Sequence, residues 1–403
     1  MITKIKKLIN ETFVVLYSLL IGNKNTPKNE TDEKIILIPY ANIFGDIVLF
    51  LDCIDEFNRI FPVSEGYKVV FVCRPAIKKF LQTIYPQCDL YIETVDWTRF
   101  TREYKYFLEV IKKYNDNYEK VIVPYDHTVT NDIFVRCINA KEKITQDYEI
   151  PHNRHALSYI LGKGIYTKMI TVDKNISVLK RQRVLINELG DISFESRIPY
   201  IPKLDCKELE LPDYYAVICP TASYLPKSWP IDRFAQVANY IYETFNCPIC
   251  ICGGNENPGI FEQLNGKVNE STVLIDMIAK TNFAQWTELM RGARLAVCND
   301  SASYHLSAAV RTASICIAGD FACVNAPNYD PDIVSDLDKI PVVLYNKMSC
   351  EGCRYIGYQY GYGNSSCKKE IKERSLLKCV DEISTDRVID SINTLNNKYE
   401  LFK

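Results

Sequence analysis

The sequence predicts an α/β protein made of two doubly wound units, and three observations predict it. From Lys34 onward, short β-rich apolar runs alternate with stretches of helical apolar spacing. The alternation lapses between about residues 185 and 212, and then a second alternating series begins. Such alternation implies right-handed crossovers and a mostly parallel sheet covered on both faces. The length of 403 residues agrees, because it exceeds what one core ordinarily organises.

Taken in order, the chain opens with "ITKIKKLINETFVVLYSLLIG". Its apolar centre from Phe13 to Ile21 is shorter than the about 20 residues a bilayer span needs, and no small-residue cleavage site follows it. Two readings stand. One is a helix packed on the protein. The other is an interfacial helix, with Lys4, Lys6 and Lys7 toward anionic headgroups and Phe13, Leu16 and Leu20 toward lipid.

"KIILIPY", "YKVVFVC", "LYIET" and "KVIVPYD" follow as strands, separated by helices such as "PAIKKFLQTIYP" and "EYKYFLEVIKKYN". After the lapse, the strands "YYAVICP", "CPICICGG", "RLAVCND" and "ASICIAGD" alternate with the helices "PIDRFAQVANYIYETF", "FAQWTELMRGA" and "SASYHLSAAV". The expected organisation is a helix and linker over 1–33, a first Rossmann-like domain over 34–190, a connection over 191–212, and a second such domain over 213–345. A cysteine-rich finger and C-terminal helix over 346–403 complete it.

Composition narrows the function. Hydrophobic residues make up 47% and charged residues 24%, which is globular usage. A net charge of −2 with no long basic stripe argues against a nucleic-acid partner. Most of the sixteen cysteines sit inside strand-like apolar runs, as buried thiols do in a reducing cytosol.

In open α/β sheets, ligands bind beyond the carboxyl ends of the strands. The residues to inspect are therefore Asn42 to Asp46, Thr221 to Lys227, Gly253 to Asn257, and Asp300 to His305. In "CNDSASYHLSAA" a strand delivers Asp300, and Ser301, Ala302 and Ser303 open a helix whose free N–H groups attract phosphate. Asp300 reads equally as an N-cap, and His305, which could reach the same crevice, reads in isolation as a core histidine. Thr221, Ser223 and Lys227 can supply donors to a diphosphate, while Trp229 and Pro230 read as packing and helix initiation. "CGGNENP" lacks the G-x-G-x-x-G spacing of a dinucleotide site. Asp46, read alone, is a turn residue after Gly45.

Together these motifs resemble glycosyltransferase family 9, the bacterial ADP-heptose heptosyltransferases. Gly45-Asp46, "KSWPIDRF" from Lys227, Gly253-Gly254, "DMIAKTNF" from Asp276 and "NDSASYHLSAA" from Asn299 occur in the family's order over about residues 34 to 395. The resemblance implies a GT-B fold, in which two Rossmann-like domains face a cleft with the nucleotide sugar on the second and the acceptor on the first. Asp46 matches the catalytic base of an inverting transfer that needs no metal. Lys227 matches the diphosphate lysine, with Asp300, Ser301, Ala302 and His305 beside it, Thr281 near the base, and Glu256 toward the ribose. Family members usually carry D-[ST]-G where this chain has Asp300-Ser301-Ala302, and a glycine where it has Thr221.

Cys350, Cys353, Cys367 and Cys379 form a C-x2-C-x13-C-x11-C series able to hold structural zinc or iron, with a disulfide pair or packed thiols as the other readings. The series is similar to a finger in the autotransporter heptosyltransferases, which bind iron there and modify protein serines. In "NRHALSYILGKG", Arg154 and His155 read as phosphate or acceptor contacts or as solvated helix-start charges. The expected activity is transfer of a heptose or related sugar from a nucleoside diphosphate, ADP-heptose by the resemblance. The acceptor is a hydroxyl of a lipopolysaccharide-core-like glycan or a protein, and the setting is the cytoplasm with peripheral contact to the inner membrane. The alternative is a nucleotide-sugar-binding protein without transfer. The C-terminal helix is expected to pack back toward the first domain.

Overall fold

The computed structural model describes residues 2–20, 33–86, 88, 90–126, 128–148, 162, 164–173, 176–222, 225–255, 258–319, 329, 333–335, 339, 341–346, 370–371 and 376–403. An N-terminal helix, α1 (Ile2–Leu20), precedes a first series: β1 (Lys34–Pro39), α2 (Phe44–Ile60), β2 (Tyr67–Cys73), α3 (Pro75–Ile84), β3 (Tyr91–Thr94), α4 (Trp97–Arg102), α5 (Tyr104–Lys113), β4 (Asn117–Asp126), α6 (Val129–Cys137), β5 (Asn139–Tyr148), β6 (Lys168–Val172) and α7 (Val178–Gly190). The second series is β7 (Ala216–Cys219), α8 (Ile231–Phe245), β8 (Ile249–Gly253), α9 (Ile260–Asn265), β9 (Leu274–Ile278), α10 (Phe283–Gly292), β10 (Ala296–Asn299), α11 (Ala302–Ala309), β11 (Ser314–Ile317) and β12 (Val342–Leu344). A short β13 (Glu370–Ile371) pairs antiparallel with β14 (Leu376–Leu377), and α12 (Lys378–Asp381) and α13 (Thr385–Tyr399) follow.

Two six-stranded sheets carry the fold, ordered β3-β2-β1-β4-β5-β6 and β12-β11-β10-β7-β8-β9. Counted from its own first strand, each sheet runs 3-2-1-4-5-6, and all its pairings are parallel. That is the doubly wound order, with a switch point between β1 and β4 in one sheet and between β7 and β10 in the other.

The period of two along each strand divides the core. In β1, Ile36 and Ile38 face the layer between the sheets, while Ile35 and Leu37 face α4 to α6. In the second sheet, Cys252, Cys219, Cys298 and Cys316 fall side by side on four neighbouring strands, on the face turned toward the first domain. The described cysteines are free thiols.

Two expectations are corrected, and three strands lie where the sequence reading named none. β5 ("NAKEKITQDY"), β6 and β9 are strands although their sequences are too charged or too short to announce it; their places in the ladders make them so. α7 runs through residue 185, where a lapse was expected, to Gly190, with Asp191 taking the left-handed C-cap conformation. Among the described residues α13 packs on the second domain and not on the first. Val388, Ile392 and Leu395 join the core beneath α8 instead, because their stripe meets the buried stripe of Phe234, Val237, Ala238 and Ile241.

The connection between the domains is extended and is tied to the second one. Arg311 donates to the carbonyls of Ile198 and Pro199, Arg291 to those of Ile201 and Pro202, and Ile201 N–H to Ala309 O at 3.0 Å.

Candidate active site

The site forms where the two switch points face each other. On the first domain, β1 ends at Pro39 and α2 starts at Phe44, so Asp46 stands in the first turn of α2. Ile43, the N-cap, has no acceptor side chain; Asp46 Oδ2 instead reaches back to accept Ile43 N–H at 3.2 Å and Asn42 Nδ2 at 3.3 Å. Its other oxygen, Oδ1, takes no hydrogen bond among the described residues. Tyr125 Oη donates to Asp46 O at 3.0 Å, and Gln182 Nε2 donates to Tyr125 Oη at 2.6 Å, which holds the start of α2 against β4 and α7.

Burial pushes the Asp46 carboxyl up to about 6. The two hydrogen bonds pull it down, Asp300 pushes it up, and Lys227 pulls it down. Asp46 therefore already senses the charges of the opposite domain.

On that domain, Asn299 at the end of β10 is a clamp. Its Oδ1 accepts Trp229 N–H at 2.9 Å and its Nδ2 donates to Pro220 O at 2.7 Å, so the β7–α8 loop is fastened across the switch point. Trp229 is buried and its Nε1 donates to Ile383 O at 2.9 Å, as expected of a packing residue. The clamp presents Lys227, only 5% exposed, whose Nζ lies 2.6 Å from Asp300 Oδ2. Asp300 is not the N-cap of α11. Its N–H continues the sheet by donating to Ile317 O at 3.1 Å, so the helix starts later and Ser301 is the N-cap.

Three buried polar atoms around this pair, Ser228 Oγ, Ser301 Oγ and His305 Nδ1, have no hydrogen-bond partner among the described residues. Burial pulls His305 down to about 4, so the ring is neutral at pH 7; Asp300 opposes that shift and Lys227 adds to it. His305 also meets the first domain, for a Cβ built on Gly45 would come 2.9 Å from its Cδ2. Beside this contact Phe44 stacks on Phe283 at 5.2 Å and 18°, with Trp286 at 5.6 Å.

The structure thus brings Asp46, Lys227, Asp300, Ser301, Ala302 and His305 together. Thr221 is half-buried against Gly253, its Oγ1 3.0 Å from where a Cβ would stand. Thr281 is half-buried in the loop before α10, next to the residues whose capping box, Asn282 with Gln285, starts that helix. Ser223, Glu256, Arg154, His155, Cys350, Cys353 and Cys367 lie outside the described residues; Cys379 is buried in α12. Among the described residues no three His, Cys, Asp or Glu side chains are grouped to hold a metal. Sequence reasoning placed Asn42 and Asn299 at strand ends but missed the bonds they make, and it missed the Tyr125–Gln182 support. Asn42 had a signal, since it sits where the first strand breaks.

A model of glycosyltransferase family 9 (heptosyltransferase) matches residues 110–335, a span that holds Lys227, Thr281, Asp300 and His305 but not Asp46. Lipopolysaccharide heptosyltransferase 3 of Escherichia coli strain K12 is 28% identical over 222 residues, covering 51% of this chain and 59% of that protein, less than two thirds of its length. A glycosyl transferase family 9 structure from Veillonella parvula superposes with a TM-score of 0.65 at 16% identity, covering 92% of this chain and 99% of that one. The E. coli heptosyltransferase WaaC with ADP-2-deoxy-2-fluoro heptose gives 0.57 at 16% identity, covering 89% and 99%. At such identities the two structures speak for the fold, which is GT-B.

Proposed function

The chain belongs to glycosyltransferase family 9, the heptosyltransferases, and from that membership we propose that it is an inverting glycosyltransferase carrying a heptose from ADP-heptose to a hydroxyl of a lipopolysaccharide-core-like glycan. The donor lies on the second domain and the acceptor on the first. One observation carries the reading: a carboxylate with a raised pKa stands across the cleft from a buried lysine and a helix N-terminus, each at a switch point.

Asp46 takes the proton of the acceptor hydroxyl as its oxygen attacks the anomeric carbon from the face opposite the diphosphate. The bond from that carbon to the diphosphate oxygen breaks, and the leaving group departs with the electron pair. A carboxyl near 6 is mostly ionised at pH 7 and more basic than a solvated one, and a positioned base contributes about 10² to 10⁴-fold. Lys227, the free N–H groups of α11 and the unpartnered Ser228, Ser301 and His305 atoms receive the charge of the departing nucleotide. Thr221 and Ser223 extend this cradle, and Thr281 and Glu256 serve the nucleoside end.

The four thiols of the C-terminal series are a donor set suited to iron or zinc, and four protein ligands leave no open position. Such an ion would brace the segment and stand outside the transfer. The free, buried thiols of the strands fit a reducing cytoplasm, from which the protein meets the membrane peripherally.

The test is nucleotide release by the purified protein with ADP-heptose and with common UDP- and GDP-sugars, a cell-envelope extract as acceptor, and Asp46→Asn alongside. Release of ADP by the wild type and not by the variant is the expected result. Nucleotide binding without turnover of any donor would favour the binding-protein reading, which the methyl group of Ala302 at the start of α11 motivates.

A further inference from the structure

We propose that α1 is a docking helix for an anionic phospholipid surface. Ile9, Phe13, Leu16 and Leu20 follow one another at spacings of four, three and four residues, which draws a single line along a helix, and Leu19 widens it. The line faces solvent: Ile9 is 62% exposed, Leu16 49% and Leu20 65%. The opposite side is anchored. Val14 and Ser18 are fully buried, and the Tyr17 ring at the flank meets the edge of Phe107 at 5.3 Å. The helix is thus held on α4 to α6 with its apolar line outward, and protein surfaces rarely leave five large apolar residues contiguous without a partner for them.

Charge selects the occupant. The first two turns of the helix carry Lys4, Lys6 and Lys7, and its one acid, Glu11, lies 4.0 Å from Arg102 of α4. A positive end beside an apolar line suits a bilayer with negative headgroups. No described helix is long and apolar enough to cross a membrane, so α1 lies along the surface. At 19 residues and about 1.5 Å per residue it lays a bar of about 28 Å in the interfacial layer.

Vesicle co-sedimentation of the full chain, without donor or acceptor, tests this apart from the transferase reading. Wild type is expected to pellet with phosphatidylglycerol-containing vesicles and to stay in solution with phosphatidylcholine alone. Leu16→Asp with Leu20→Asp should weaken anionic-vesicle binding about tenfold or more. Lys4→Glu, Lys6→Glu and Lys7→Glu together should remove its salt dependence. Circular dichroism melting at the wild-type temperature shows that each variant is folded. Wild type that ignores both vesicle types, or a leucine variant that binds as tightly as wild type, overturns the proposal. So does a dimer in light scattering that the leucine substitutions dissolve while no vesicle binding is seen, which would make the line a self-contact.

Discussion

Lys227 and Asp300 form a 2.6 Å ion pair in which the lysine is buried and the carboxylate half-buried. The two residues come from different strand ends, and the pair exists because Asn299 fastens one loop to the other. Breaking a buried pair by removing one partner costs about 3 to 5 kcal/mol, with the lower end expected where one partner meets solvent. Asp300→Asn should therefore lower unfolding free energy in urea by about 3 kcal/mol. Lys227→Met should leave stability closer to wild type and weaken ADP binding in calorimetry by about tenfold to a hundredfold, the loss of a charge-assisted contact. Equal ADP affinity in wild type and Lys227→Met would remove the lysine from the donor site.

The approach of the domains at Gly45 sets a second prediction. A methyl group there would stand 2.9 Å from His305 Cδ2 and 3.7 Å from Ala302 Cα. The ring is boxed in by Tyr304 and cannot swing freely. Gly45→Ala should cost about 1 to 3 kcal/mol and reduce kcat more than ADP affinity, because it displaces the start of α2. Thermal unfolding and steady-state kinetics read the two effects separately.

Activity should rise with pH through about 6, the range in which Asp46 loses its proton. The limb belongs in the kcat/KM profile of the free enzyme and should have unit slope. A profile flat from pH 5 to 8 would show that a different group removes the acceptor proton.

Asp46 and His305 should impose opposite pH dependences on stability. The His305 pKa is lowered from 6.5 to about 4, so its contribution is present above pH 6.5 and is lost as pH falls toward 4. The Asp46 pKa is raised from 3.8 to about 6, so folding is penalised above pH 6 and relieved as pH falls toward 4. Each effect is on the order of 3 kcal/mol, and in the wild type they nearly cancel. Measured against wild type in urea at pH 7 and pH 4.5, Asp46→Asn should become relatively less stable at the lower pH and His305→Gln relatively more stable. Parallel behaviour of the two variants would contradict the shifts.

What could be read from sequence follows the range of the interaction. The positions of Asp46 and Asp300 at strand ends were legible because strand–loop–helix junctions are local patterns, as is the α/β alternation. The residues alone read Asp46 as a turn and Asp300 equally as an N-cap, and the site roles came from the family resemblance. Asn299 was not, since its role joins residues 70 positions apart. β5 escaped because a strand with lysine and glutamate beside Ile144 is recognisable only once β4 and β6 lie on either side of it. The destination of α13 was misread for a related reason: an amphipathic stripe says that a helix packs, and nothing in it names the sheet.

The docking of α13 on α8 also sets a timetable for synthesis. Residues 14 to 165 suffice to cover the outer face of the first sheet, so that layer can close while the chain is still being made. The outer face of the second sheet takes Leu376 to Leu401 into its core, and Trp229 bonds a carbonyl 154 positions further on. Until that stretch emerges, α8 lies on the strands but the part of this core that Leu376 to Leu401 complete stays open. The second domain therefore keeps apolar surface open later in synthesis than the first, and open apolar surface on a nascent chain favours aggregation.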